Sequence, residues 1–194
     1  MAGDNLGAFQ EIFNGGNRSH LYDVTMNYPT TINGGADDKD GMNRFTVRAV
    51  NLPPSQINPI RIPYRGRILK WPGDRVYFPW TFRVLDENAS SGANPSSVWK
   101  KLHQWSNLIN NHKTNRSSDD FKNFATQWKI RQVGYGGTFG SGDPDPDQTV
   151  VKEAILEDCW PTSIGPITMD SNAIDTLVEF SVTVEYSYFT ITGV

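Results

Sequence analysis

From Leu177 to Tyr188 the chain alternates without interruption: Phe180, Val182, Val184, Tyr186 and Tyr188 fall on one side, Glu179, Ser181, Thr183, Glu185 and Ser187 on the other. Successive side chains of a strand point to opposite faces, so this run is satisfied as a strand with one dry and one wet face. A helix would scatter both sets around its circumference. Tyr22, Val24, Met26 and Tyr28 alternate in the same way with Asp23, Thr25 and Asn27, as do Trp80, Phe82 and Val84 with Thr81 and Arg83. Further strands are expected at 45–50, 128–133 and 150–156, the last leading to Trp160-Pro161 and a turn.

Helical spacing is confined to two places. Val98, Leu102, Trp105 and Ile109 recur along 98–111, with Trp99 and Leu108 widening the stripe and Pro95-Ser96-Ser97 as the cap. A shorter helix over 5–14 would carry Leu6, Phe9 and Phe13 on one face, ended by Gly15-Gly16. About seven strands with two short helices, and first and last strands that look pairable, predict an all-β fold. The expected form is an antiparallel β-sandwich or partial barrel with a flanking α-helix. At 194 residues it is read as a single domain, 1–194, and the glycine- and aspartate-rich stretches 31–42 and 134–148 as loops.

Composition removes several functions. A net charge of −3 does not suit a dedicated nucleic-acid grip. One cysteine, Cys159, excludes an internal disulfide framework or a cysteine-rich metal site. The start of the chain has no signal-peptide pattern, and no apolar run approaches the ~20 residues that span a bilayer, so a soluble protein made inside the cell is expected. His20, His103 and His112 are the histidines, and none is spaced to form a ligand pair. Asp143-Pro144-Asp145-Pro146-Asp147 imitates the start of a calcium loop but lacks its turn glycine and its final glutamate. No nucleophile and base stand at readable spacing, so no catalytic residue, metal or cofactor is expected. A carbohydrate-binding β-sandwich, stacking sugars on Trp71, Trp80 or Trp99, stays open as an alternative.

The remaining feature is the stretch 61–87, RIPYRGRILKWPGDRVYFPWTFRVLDE. It reads as two strands reversing at Pro72-Gly73-Asp74, with Arg65, Arg67, Lys70 and Arg75 too numerous for a buried strand. A basic strand, then Pro72-Gly73-Asp74-Arg75, Trp80-Thr81 and the acidic pair Asp86-Glu87, resembles the tail tube proteins of contractile-tailed, T4-like phages. Trp160-Pro161-Thr162-Ser163-Ile164-Gly165 is similar to a second marker of that family.

The resemblance implies a tail-tube-like domain whose sheets join in a hexameric ring, closing a β-barrel around a lumen. Stacked rings would form the inner conduit for genome ejection within a contractile sheath. The implied partners are the tail sheath, baseplate and tail-terminator proteins, with the tape-measure protein and DNA passing unbound and no membrane insertion by this subunit. It would reside in the virion, and in the host cytoplasm during assembly. Tube-initiating or tube-capping baseplate proteins and bacterial contractile-injection tubes share the architecture and stay open. A bore that DNA must slide through suits small polar and acidic groups. Asp23, Thr25, Glu179, Ser181, Thr183 and Glu185 are therefore expected to face the lumen. Arg65, Arg67, Lys70, Asp74 and Arg75 are expected at contacts between subunits or rings.

Overall fold

A computed structural model describes residues 17, 19–32, 46–86, 97–117, 120–135, 148–170, 172–174 and 176–192. The expected helix over 5–14 and most of the two long loops lie outside them. The elements are β1 (Tyr22–Thr25), β2 (Val47–Ala49), β3 (Ser55–Tyr64), β4 (Arg67–Tyr77), β5 (Trp80–Leu85) and helix α1 (Val98–Ile109). Then come the two-residue strands β6 (Asn110–Asn111) and β7 (Arg116–Ser117), β8 (Thr126–Tyr135), β9 (Gln148–Ile164), β10 (Glu179–Glu185) and β11 (Tyr188–Thr192).

Strand β9 holds the fold together. Over its first part it pairs β8 on one edge and β11 on the other, and over Trp160–Ile164 it pairs β10. Tyr188 pairs Glu157 and Glu185 pairs Trp160, so β10 and β11 form one interrupted strand running antiparallel along the same edge. The interruption coincides with irregularity in β9, where Asp158 takes a φ of 58° and the register with β10 shifts at Thr183/Val184. Such bulges bend a strand and let it pass from one sheet to another. The sheet order is β1-β8-β9-β10-β5-β2, with β11 added on β9. The two ends nearly meet, since the Tyr22 hydroxyl donates to the Val47 carbonyl at 2.9 Å. The expected sandwich or partial barrel is therefore present.

Three expectations need correcting. The first and last strands do not pair: β1 lies on β8 and β11 on β9. Trp160-Pro161 is no approach to a turn but part of the 17-residue β9. Pro161 is tolerated because it falls at the bulge against Thr183/Val184, where a missing N–H breaks no regular ladder. Tyr188 does not extend the buried row, since the chain breaks after Glu185 and leaves it 46 % exposed at the start of β11.

The core is the product of the alternation. Val24, Ile130, Leu156, Val182, Val184, Phe82 and Val84 are fully enclosed around Trp80 and Trp128, whose rings meet edge to face at 6.1 Å. Buried indoles need partners for their N–H. Trp80 donates to Asn51 O, Trp128 to Asn27 O and Trp105 to Phe124 O, at 2.5, 2.8 and 2.8 Å. Helix α1 lays Val98, Leu102 and Trp105 onto this core and starts at Ser97, whose hydroxyl accepts from the Lys100 amide at 3.3 Å.

Candidate assembly surfaces

Two surfaces use residues that the core does not. The first is the outer face of the sheet formed by the end of β9 with β10, β5 and β2. Alternation sends Phe180, Val182 and Val184 inward, so Glu179, Ser181, Thr183 and Glu185 stand outward on β10. Register then fixes their neighbours: Ser181 faces Arg83, and Thr183 lies between Thr81 and Ser163. The Thr81 and Thr183 hydroxyls are 3.1 Å apart, and Thr162 Oγ1 donates to the Thr183 carbonyl at 3.1 Å. Ile164 leads into Gly165, whose amide donates to Ser181 O at 2.6 Å; a Cβ there would sit 2.4 Å from Ser181 Oγ. Only glycine permits that close approach.

This face is small and polar but not purely acidic. Glu179 is bridged by Arg48 of β2, Nη1 to Oε1 at 2.5 Å, and Arg83 projects beside Ser181. Sequence reading missed Arg48, Arg83, Thr81 and Ser163 as neighbours of this row. Only the pairing of β10 with β5 and β9 reveals them. Asp23 and Thr25 stand on β1, separated from β10 by β8 and β9 in the strand order. Asp23 is 4 % exposed and ion-paired to Arg131 of β8.

The second surface is the β3–β4 hairpin. It forms a two-stranded sheet of its own, and every β3 residue is exposed. Its reversal is not Pro72-Gly73-Asp74. Tyr64 pairs Arg67 around Arg65-Gly66, whose φ values of 45° and 81° are those of the left-handed two-residue turn that matches strand twist. Pro72-Gly73-Asp74 lies inside β4 as a bulge: Ile57 pairs Arg75 and Pro59 pairs Pro72, so Gly73 and Asp74 together oppose Asn58. A Cβ on Gly73 would sit 2.6 Å from Asn58 O, so this glycine serves close backbone approach, not reversal.

Arg65, Arg67, Lys70, Asp74 and Arg75 all lie on this ribbon, with Arg65 at its tip 5.4 Å over the Tyr64 ring. Ile60, Ile62 and Leu69, which sequence reading passed over, are exposed there too, as is Trp71. At the root Tyr77 packs edge to face on Tyr186 and Phe189, at 6.0 and 5.5 Å. Burial pushes the Tyr186 phenol up to about 12, with Glu185 adding to the shift, and pushes the Cys159 thiol above its ordinary range.

Other candidates find no support as sites. Among the described residues no cluster of three metal-ligating side chains occurs, and His103 is exposed on α1 beside Trp99, ring centroids 4.3 Å apart. Trp80 is 2 % exposed and offers no face to a sugar, while Trp71 and Trp99 lie on separate elements. Among the described residues no helix is long and apolar enough to cross a membrane.

Residues 17–192 match the sequence model of the phage tail tube proteins. The chain is 25 % identical over 173 residues to the tail tube protein of Serratia phage KSP90, covering 87 % of this chain and 85 % of that one. It is 23 % identical over 145 residues to tail tube protein gp19 of Enterobacteria phage T4, covering 75 % and 79 %. By structure it is similar to a chain of the anti-feeding prophage baseplate (TM-score 0.58, 9 % identity, 91 % and 95 % covered). A chain of the PVC sheath-tube complex, from an extracellular contractile injection system, gives a TM-score of 0.55 at 13 % identity, with 92 % of both chains covered. At such identities the likeness is one of fold.

Proposed function

The chain belongs to the phage tail tube protein family, and on that premise we propose how this structural tail subunit builds its tube. The observation that carries the proposal is a four-stranded sheet, β9-β10-β5-β2, polar on its outer face and unpaired at both edges. Among the described residues, no strand forms a ladder beyond Trp160–Ile164 of β9 or beyond Val47–Ala49 of β2, which β1 approaches only through the Tyr22 hydroxyl. Edges of this kind invite pairing, and closing them in a ring removes them. Six copies joined edge to edge make a continuous barrel with Glu179, Ser181, Thr183 and Glu185 lining the bore. Thr81, Arg83, Ser163 and Arg48 join that lining. Asp23 and Thr25 fall on the outward side, where a sheath would lie.

A head-to-tail contact that does not close generates a filament, so stacked rings become a tube. Baseplate, sheath and terminator proteins are its partners in the virion, and the passing cargo is DNA and a tape-measure protein. The bore suits passage because the Thr81 and Thr183 hydroxyls bond each other and Arg48 is neutralised by Glu179, leaving little net positive charge to hold phosphate. The role is structural rather than catalytic.

The test replaces Glu185 and Ser181 with Lys in the same chain. Tubes of normal length with impaired DNA delivery are the expected result. Normal infectivity with intact tubes would remove these residues from the bore.

A further inference from the structure

The open edge of β2 is already occupied at one point by the fold itself. The Asp86 amide donates to Val178 O at 2.9 Å, and the register runs on from there as Leu85–Glu179 and Val84–Phe180. Backbone groups of successive strand residues alternate in direction, so Val84, like Asp86, turns its N–H and C=O toward β10. Val47 pairs Val84 from the other side. Since Val84 points away from it, this is a pair without mutual hydrogen bonds, and the Val47 N–H and C=O also point away, onto the free edge. Arg83 points toward β2 instead and holds Ala49 to β5, with the register shift between Val47 and Ala49. Val47 therefore carries the outward donor and acceptor of this three-residue strand.

The acceptor is capped. The Tyr22 hydroxyl of β1 donates to Val47 O at 2.9 Å, although β1 and β2 form no ladder. Among the described residues, none accepts from the Val47 amide. Tyr22 is half-buried and stands between two hollows. One, of about 230 Å³, is lined by Leu21, Leu52 and Ile130; the other, of about 360 Å³, by Arg48, Thr81 and Arg83. The phenol has room on both sides to swing off Val47. Other bonds position β2: Arg48 reaches Glu179 across β5, and Trp80 donates to Asn51 O just beyond the strand.

We propose that Tyr22 is an intramolecular cap on the β2 edge: its hydroxyl holds the Val47 acceptor in the free subunit and must leave before a neighbouring subunit's strand can pair there. A bare edge templates uncontrolled strand addition, and a side-chain cap guards it while leaving a single hydrogen bond to exchange. The incoming strand replaces the O–H···O bond of Tyr22 by an N–H···O bond and accepts from the Val47 N–H as well. It makes two bonds where the cap made one, so the exchange favours growth once the strands meet in register. The cap is a brake on assembly by the free subunit. This deepens the tube reading and rests on it for the strand that arrives, not for the geometry of the cap.

Tyr22→Phe in the full chain keeps the ring and removes the hydroxyl. Sedimentation velocity over a concentration series reads assembly, circular dichroism checks the fold, and hydrogen exchange follows the Val47 amide in free and assembled parent. The variant is expected to keep the parent spectrum and to assemble at about a fivefold lower concentration, the weight of one hydrogen bond. The Val47 amide should exchange fast in the free parent and become protected on assembly. A variant that assembles at the parent threshold or above it overturns the cap, since a bond that only braces the barrel would raise the threshold when lost. If Val47 is nevertheless protected in assembled parent, the β2 edge stays a ring contact and only the cap is removed. A Val47 amide left unprotected in assembled parent removes the β2 edge from the ring, and the cap with it. Parent and variant both monomeric at every concentration would overturn the cap as the brake.

Discussion

Single residues carry the geometry that sequence patterns only outline. Pro72-Gly73-Asp74 has the strongest turn chemistry in the chain, yet the reversal occurs at Arg65-Gly66, because the missing Cβ of Gly73 serves contact with Asn58 O across a bulge. Sequence shows that a glycine is needed but not whether for its φ or for its lack of bulk. Gly73→Val should therefore leave thermal unfolding of the core unchanged and weaken assembly, as read by calorimetry beside sedimentation. Trp80 was legible as a core residue from its alternation with Thr81. Its replacement by Ala should cost about 3–5 kcal/mol in urea unfolding, since the ring stacks on Phe82 at 4.5 Å and is nearly fully enclosed. Asp23 was legible as outward-facing but not as paired. Asp23→Asn strips the charge from its bond with Arg131 and should cost about 1–3 kcal/mol. Tyr186 sets a pH dependence. Its folded phenol stays protonated to about 12 against an ordinary 10, so above pH 10 the unfolded chain ionises first. Stability should be constant in this respect below pH 10 and fall as pH rises from 10 to about 12. The buried Cys159 thiol adds a loss of the same sign. Tyr186→Phe should reduce the drop in urea midpoint between pH 9.5 and 11.5, and an unchanged drop would locate the effect elsewhere.

Elements divide by how far their pattern is local. Strand β10 and helix α1 were readable in their bodies, because alternation in one and the Ser97 cap with a Val98–Leu102–Trp105 stripe in the other are set by near neighbours. Their far ends were not, since the strand breaks after Glu185 and the helix stops at Ile109. Ser97→Ala should lower stability by about 1 kcal/mol, measured by urea titration. Strand β9 was cut short in sequence because Trp160-Pro161 looks like a stop. What lets the strand continue is a register shift against β10, and β10 lies about twenty residues downstream. The outward polar set of this sheet was legible on the same terms. Its β10 members follow from alternation within one strand, whereas Arg48, Thr81, Arg83 and Ser163 come from three other segments and require the pairing to be known.

At the scale of the molecule, the described barrel is nearly closed on itself at β1 and β2, while none of the described residues covers the ribbon or the polar outer sheet. The proposed assembly joins the edges of the polar sheet around a ring. The measurement that tests this most directly is electron microscopy of the purified full-length protein over a concentration series, with and without isolated baseplates as seeds. Sixfold rings or hollow rods are expected, with density for β9-β10-β5-β2 around the bore. Particles without a central channel, or a monomer that fails to extend even on baseplates, would contradict it.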